Sequence, residues 1–420
     1  MCRKFLCSLH YKPHNIIINT IFDMKKFILL FATLISLPFA SFSQEKSAPQ
    51  KREKYEFVRN LPAYAEKIMA DWTFPLAWGN SEIKDFELWR KTAREKVFDC
   101  MLTPPPPASD YDVKILAEEQ REGYRVKKIE VRLSEYYTVP ALLLVPDGKG
   151  PFPAVNCLHD HGAHLYIGKE KMIRPIVTKD ASGKENQEDL EVLKDADNWV
   201  SGLYEGQYVG DYLAKNGYVV LSTDAPMWGE RGQKEGARRD RYDMIAGNMM
   251  MYGINLSAYM TYDDIAATEF LATLPEVDKD RIGCMGFSMG GYRAWMLSAL
   301  CERIKAGVAI CWMVTSDEQL SFKYKRTENG GFANCYPGLR RWMDYPHIAS
   351  IACPNAMLFI NGEQDKLFPV PGVKKAFDIM HNVWNSQNVS QKLETEIWPV
   401  PHSCYKKAQE RTLQFFKKHL

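Results

Sequence analysis

The run Asp278-Lys279-Asp280-Arg281-Ile282-Gly283-Cys284-Met285-Gly286-Phe287-Ser288-Met289-Gly290-Gly291 decides how this chain is read. Its apolar centre, Ile282 to Met285, is short and continuous, the pattern of a strand covered on both faces of a parallel sheet. The strand breaks at Gly286-x-Ser288-x-Gly290, and Tyr292-Arg293-Ala294-Trp295-Met296-Leu297 then reads as a helix. Strand, sharp turn and helix in succession predict a nucleophile elbow, with Ser288 strained at the carboxyl edge of a sheet. Gly286 and Gly290 suit it because two backbones pass there too closely for a Cβ.

Outward from the elbow, strands and helices alternate. Strands are expected over 124–133, 139–145, 154–158 and 218–224 before it, and over 307–314, 355–361 and 393–398 after it. Helices are expected over 208–216, 262–274, 373–385 and 405–420. This alternation predicts an α/β protein with a doubly wound, mostly parallel sheet over residues 111–420. Residues 44–110 read as a helical N-terminal extension, rich in aromatics (Trp72, Trp78, Trp89) and closed by the stiff connector Pro104-Pro105-Pro106-Pro107. Three connections, 164–206, 226–259 and 315–347, are too long for simple βα loops. Each follows a strand and is expected at the carboxyl edge, where open α/β sheets bind ligands. Trp228, Tyr252, Phe322 and Trp342 would then crowd the pocket and favour a short acyl group.

The chain of 420 residues is 46% hydrophobic and 25% charged, with a net charge of +2. That composition supplies an ordinary globular core and excludes a strongly basic nucleic-acid or polybasic membrane binder. Met24-Lys25-Lys26, an apolar run from Phe27 to Phe39, and small residues at Ser41 and Ser43 have the layout of a secretory signal. Residues 1–43 are therefore read as a signal region with its start at Met24, and the mature chain as beginning at Gln44, periplasmic or secreted. No integral membrane segment is expected once it is removed. Cys2 and Cys7 precede that signal. Cys157, Cys284, Cys311 and Cys353 fall in or beside strand-like runs and read as small buried hydrophobes.

A serine hydroxyl becomes a nucleophile only when a base takes its proton and a third group orients that base. After the strand 356–360 comes Asn361-Gly362-Glu363-Gln364-Asp365, and after the strand 394–398 comes Pro399-Val400-Pro401-His402. Nucleophile, acid and histidine thus occur in that order at three strand ends. Ser288, Asp365 and His402 form the expected triad, with Glu363 as the alternative acid. An oxyanion hole needs the amide of Met289 and one from the loop Leu158-His159-Asp160-His161-Gly162-Ala163-His164. Ala163 is the favoured donor, with His161 and Gly162 as its neighbours. The same loop supports a rival reading, because His159-x-His161-x-x-His164 has the spacing of metal ligands and resembles the metallo-β-lactamase hydrolases. Those carry an Asp directly before the third His, where this chain has Ala163.

Val277-Asp278-x-x-Arg281-Ile282-Gly283-x-x-Gly286-x-Ser288-x-Gly290-Gly291 resembles the dienelactone hydrolase and acetyl xylan esterase branches of the α/β-hydrolase superfamily. So do the His161-Gly162 loop, Gly362-x-x-Asp365 and His402. Asp224-x-x-x-Trp228-Gly229-Glu230-Arg231-Gly232 is similar to a segment of secreted bacterial esterase-like members. The resemblance, over roughly residues 110–420, implies a serine carboxylester hydrolase with no cofactor and no metal, acting on a small-molecule or polysaccharide ester. Dienelactone hydrolases proper use Cys where this chain has Ser288, and the deacetylase branch has Gln where it has Met289. Trp228 and Arg231 are candidates to touch substrate, by stacking on a sugar ring and by binding its polar groups. The competing reading makes Trp228 a loop anchor and Glu230 and Arg231 an ion pair that fixes the loop. Arg238, Arg239 and Arg241 read as a solvated charge run. A serine peptidase of the prolyl oligopeptidase type is the alternative function, but the residues before the sheet are too few for its propeller.

Overall fold

The computed structural model describes residues 63–232, 239–320 and 331–420. The signal region, Arg238, Phe322 and the side chains of Arg239 and Arg241 lie outside them. Helices α1 (Ala63–Ala70) and α2 (Phe86–Cys100) come first. Strands β1 (Lys114–Arg121), β2 (Tyr124–Ser134), β3 (Tyr137–Pro146) and β4 (Phe152–Leu158) follow, then α3 (Gln187–Leu203), α4 (Val209–Lys215) and β5 (Val219–Thr223). Next are α5 (Arg239–Met251), α6 (Leu256–Leu271), β6 (Val277–Phe287), α7 (Met289–Leu300) and β7 (Ile304–Ile310). The chain closes with α8 (Ser316–Leu320), α9 (Tyr345–Ala349), β8 (Ala356–Gly362), α10 (Val370–Ser386), β9 (Leu393–Trp398) and α11 (Lys406–His419).

The strands form one sheet in the order β1-β2-β3-β5-β4-β6-β7-β8-β9. Pairing is antiparallel from β1 to β5 and parallel from β5 to β9. This is the expected doubly wound sheet, and helices cover both of its faces. Met285 and Phe287 of β6 share a core with Val200, Leu213 and Phe416 of α3, α4 and α11. Ile282 and Cys284 share another with Phe270 and Leu297 of α6 and α7. The continuous apolar run of β6 follows from burial on both sides.

Before the sheet, α2 buries Trp89, Ala93 and Val97, which recur at helical spacing. Its N-terminus is capped by Asp85, whose carboxylate accepts the Leu88 amide at 2.7 Å. The buried face joins the core of Trp295, Met296 and Ala299, so α2 braces the helix that leaves the elbow.

Several elements differ from the sequence expectation: α3, α5, α8 and α9 lie in or at the end of the long connections, and three others differ as follows. β1 was not foreseen: Lys-Ile-Leu-Ala-Glu-Glu-Gln-Arg is a charged edge strand without clean alternation, as edge strands often are. α6 starts at Leu256 rather than Tyr262, because Asn255 caps it by accepting the Ala258 amide at 2.8 Å. β7 ends at Ile310 rather than Val314, because Cys311 takes a φ of 52° and turns the chain out of the strand. Among the described residues no helix is long and apolar enough to cross a membrane, and the eight described cysteines are free thiols.

The elbow sets the tightest constraint. A Cβ on Gly290 would lie 1.9 Å from the Leu158 carbonyl oxygen, and one on Gly286 2.2 Å from the Gly290 backbone. Neither neighbour is a side chain that can swing away. Gly290→Ala should therefore destabilise the fold by about 3 kcal/mol, the upper end of ordinary overpacking. A urea midpoint equal to wild type would contradict this packing.

Candidate active site

Ser288 sits between β6 and α7 with φ 55° and ψ −122°, a conformation closed to most side chains. Holding it costs about 1–3 kcal/mol. Two backbone bonds fix it: its amide donates to the Ile310 carbonyl at 2.9 Å, and its carbonyl accepts the Tyr292 amide at 3.0 Å. Its hydroxyl is thereby presented at the carboxyl edge.

Two further loops arrive at the same edge. The loop after β8 and the loop after β9 are joined by backbone bonds, Glu363 N–H to Trp398 O at 2.7 Å and Gln364 N–H to Val400 O at 3.1 Å. Asp365 is buried, and its Oδ1 accepts the Leu367 amide at 2.8 Å. Its Oδ2 lies 2.6 Å from His402 Nδ1, and His402 Nε2 lies 2.8 Å from Ser288 Oγ. With the carboxylate accepting at Nδ1, the neutral ring carries its proton there and leaves Nε2 to accept from the serine. The structure thus brings Ser288, His402 and Asp365 together, while Glu363 is exposed. Phe287 flanks His402 with ring centroids 4.7 Å apart. Burial alone would lower the pKa of His402, but its bonds with Asp365 and Cys311 outweigh that and raise it to about 10.

The loop after β4 departs from expectation in detail. Ala163 has a φ of 53°, and its amide donates to His161 Nδ1 at 2.9 Å, so it is spent within the loop rather than turned to the serine. Met289 opens α7, where the first amides of a helix have no partner inside it.

The three histidines of this loop do not converge. His159 is buried; its Nε2 accepts the Ala225 amide at 3.0 Å and its Nδ1 donates to the Asp160 carbonyl at 2.9 Å. His164 Nε2 lies 2.5 Å from Asp195 Oδ2, with its ring stacked on Trp199. Each imidazole is directed at a different partner, so the metal reading loses its donor set.

Both candidate substrate residues belong to the scaffold. Trp228 is 0% exposed, donates from its indole to the His161 carbonyl at 3.2 Å and packs on His161 and Tyr242. No face of it remains for a sugar. Arg231 donates to Asp263 Oδ2 at 2.6 Å, to the Asp224 carbonyl at 2.9 Å and to the Tyr259 hydroxyl at 2.9 Å. Glu230 does pair, but not with Arg231: Lys169 Nζ lies 2.6 Å from Glu230, 2.6 Å from Glu170 and 2.8 Å from Asp224, and Lys128 lies 2.9 Å from Glu230. The buried Lys169 ammonium occupies the space among these three carboxylates. A Cβ on Gly229, which has a φ of 53°, would come within 2.6 Å of Asp224. The Asp224–Gly232 segment is a packed charge network.

The expected aromatic wall is also dispersed. Tyr252 is 82% exposed, and Trp342 lies under the Lys96 ammonium against α2. A cleft of about 640 Å³ beside Tyr166, Lys128 and Glu230 is lined by no member of the triad.

A raised pKa at His402 has a defined cause, and removing the carboxylate should remove most of it. Proton NMR of the His402 ring should place its titration above 6.5 in wild type and lower in Asp365→Asn. An unchanged value in the variant would contradict the bond at Nδ1.

The abhydrolase family model matches residues 65–396. The Bacillus subtilis (strain 168) protein YtaP, named as a hydrolase, is 29% identical over 286 residues, which cover 68% of this chain and 85% of YtaP. Among solved structures, a Bacteroides fragilis NCTC 9343 protein described as an acetyl xylan esterase superposes with a TM-score of 0.62 at 20% identity, covering 83% of this chain and 84% of that one. A glucuronoyl esterase from Solibacter usitatus superposes with a TM-score of 0.56 at 14% identity, covering 83% and 98%. At those identities the structures speak for the fold, and the family match speaks for descent. The chain belongs to the abhydrolase family and is a hydrolase of the α/β-hydrolase fold.

Proposed function

We propose that the protein is a serine carboxylester hydrolase that works through an acyl-enzyme on Ser288 and removes short acyl groups, acetyl first, from carbohydrate esters. The observation that carries this reading is the 2.8 Å contact of Ser288 Oγ with His402 Nε2, backed by the 2.6 Å contact of Nδ1 with Asp365. His402 takes the serine proton as Oγ attacks the ester carbon, and the negative charge on Asp365 stabilises the imidazolium. His402 then returns the proton to the departing alkoxide, and the same steps with water release the acid. The Met289 amide, with one from the loop after β4, receives the oxyanion.

The carbohydrate assignment is supported by the names of its structural neighbours, which include an acetyl xylan esterase, a methylesterase and glucuronoyl esterases. Export through the Met24–Gln44 segment belongs to the same proposal and suits a polymer that stays outside the cell. The peptidase alternative lacks support, because the described residues before the sheet are two helices and their connections.

A raised His402 pKa keeps the ring protonated and idle at low pH, so kcat/KM should rise as pH increases through that pKa. Ser288→Ala and His402→Ala should each lower kcat on the order of 10⁴- to 10⁶-fold, and the double variant should be little worse, because the triad acts as a unit. Acetylated xylo-oligosaccharides should be turned over and peptide amides not. The acetyl preference draws its support from the acetyl xylan esterase neighbour and not from the dispersed aromatic residues; specificity constants should fall from p-nitrophenyl acetate to octanoate, by about 1–3 kcal/mol for each methylene that is rejected. A flat acyl series, amide cleavage, or an exported protein that begins elsewhere than Gln44 by mass spectrometry would each remove the corresponding part.

A further inference from the structure

Lys171 is 0% exposed, although lysine is among the residues least often fully buried. An ammonium taken out of water is costly unless every donor is matched. Here the matching is unusual. Its three N–H groups face three backbone carbonyls of a single loop: Asp160 at 3.1 Å, His161 at 3.2 Å and His164 at 2.9 Å. Asp160 Oδ1 is 3.5 Å away, and the Trp199 ring lies 4.8 Å from Nζ. The Asp160 carboxylate is itself held by the Tyr204 hydroxyl at 2.7 Å and the Trp199 indole at 3.2 Å. The clamp comes from the long connection between β4 and β5, which carries both Lys171 and α3.

In a planar trans peptide the C=O of one residue and the N–H of the next point in opposite directions. If the carbonyls of Asp160 and His161 are drawn to Lys171, the amides of His161 and Gly162 must face away from it. The loop leaves β4 at Leu158, which pairs with Gly286 of the nucleophile strand and packs its carbonyl on Gly290. Gly162 has a φ of 57°, and a Cβ there would meet the Trp199 ring at 2.2 Å. The neighbouring Ala163 amide is tied to the His161 ring.

We propose that Lys171 is a positioning residue for the oxyanion hole: by gathering the Asp160, His161 and His164 carbonyls, it turns the amides of this loop, Gly162 foremost, toward Ser288. This inference rests on the esterase reading above. It assigns to a buried lysine, acting through the loop it holds, a share in transition-state stabilisation and none in substrate binding. Lys171→Met keeps the stem and deletes the donors; Lys171→Gln keeps two donors on a shorter stem and serves if the first variant does not fold.

The test has two arms, run on protein whose circular dichroism matches wild type. With p-nitrophenyl acetate, kcat should fall about tenfold to a hundredfold, less than the loss of a whole oxyanion donor, while KM holds. Phenylboronic acid, which forms a tetrahedral adduct on the serine oxygen, should bind more weakly by a similar factor. An unchanged kcat, or a loss of kcat with boronate affinity intact, would overturn the proposal. Reaction of wild type with a fluorophosphonate separates the two claims. If Ser288 is not labelled, the esterase reading falls and this inference with it. If it is labelled equally fast in Lys171→Met, only the role of Lys171 falls.

Discussion

The close passage of β6 and α7 is the constraint on which the rest of the molecule depends. Two glycines let the backbones approach to a distance that no Cβ could share, and the turn between them forces Ser288 to positive φ. The strain is tolerated because the surroundings over-determine it. β6 lies between β4 and β7 in the middle of the parallel sheet, with apolar cores on both faces, and α7 is buried along its whole length. The serine hydroxyl is therefore placed by the sheet itself, and the acid and histidine reach it from the ends of β8 and β9, the second and third strands along.

The long connections do a different job from the one their length suggests. They are stiffened by buried charge: Lys169 among three carboxylates, Arg231 on Asp263, and Lys171 among carbonyls. Such pairs add little net stability compared with apolar packing, but breaking one leaves an uncompensated charge and costs about 3–5 kcal/mol. What they provide is fixed geometry where these segments pack on the sheet edge. The loop after β4, which flanks the serine, is held on one side by this network and on the other by Gly290.

The sequence made the sheet and the triad legible for physical reasons. Buried parallel strands are continuous apolar runs, and an elbow needs glycines at fixed offsets, so Ser288, Asp365 and His402 could be placed by their strand ends. Side-chain direction was not legible in the same way. Trp228 and Arg231 follow a strand at the functional edge, as substrate residues would, and only the tertiary partners His161, Tyr242 and Asp263 show that they face inward. The amide of Ala163 could not be placed because its direction depends on a ring nitrogen two residues before it. Lys171 carried a faint signal, a charge within a stretch otherwise including Met172 and Ile173, both buried. Metal-like spacing could be weighed only as a rival for a related reason: three histidines within a turn of irregular chain can point three ways.

The central claim is that Ser288 becomes covalently acylated during turnover. Rapid quenching with p-nitrophenyl acetate, followed by peptide mass spectrometry, tests it directly. One acetyl group on the peptide that contains Ser288, formed with a burst of p-nitrophenol and absent from Ser288→Ala, is the predicted result. Steady turnover with no burst and no adduct, retained in Ser288→Ala, would contradict it.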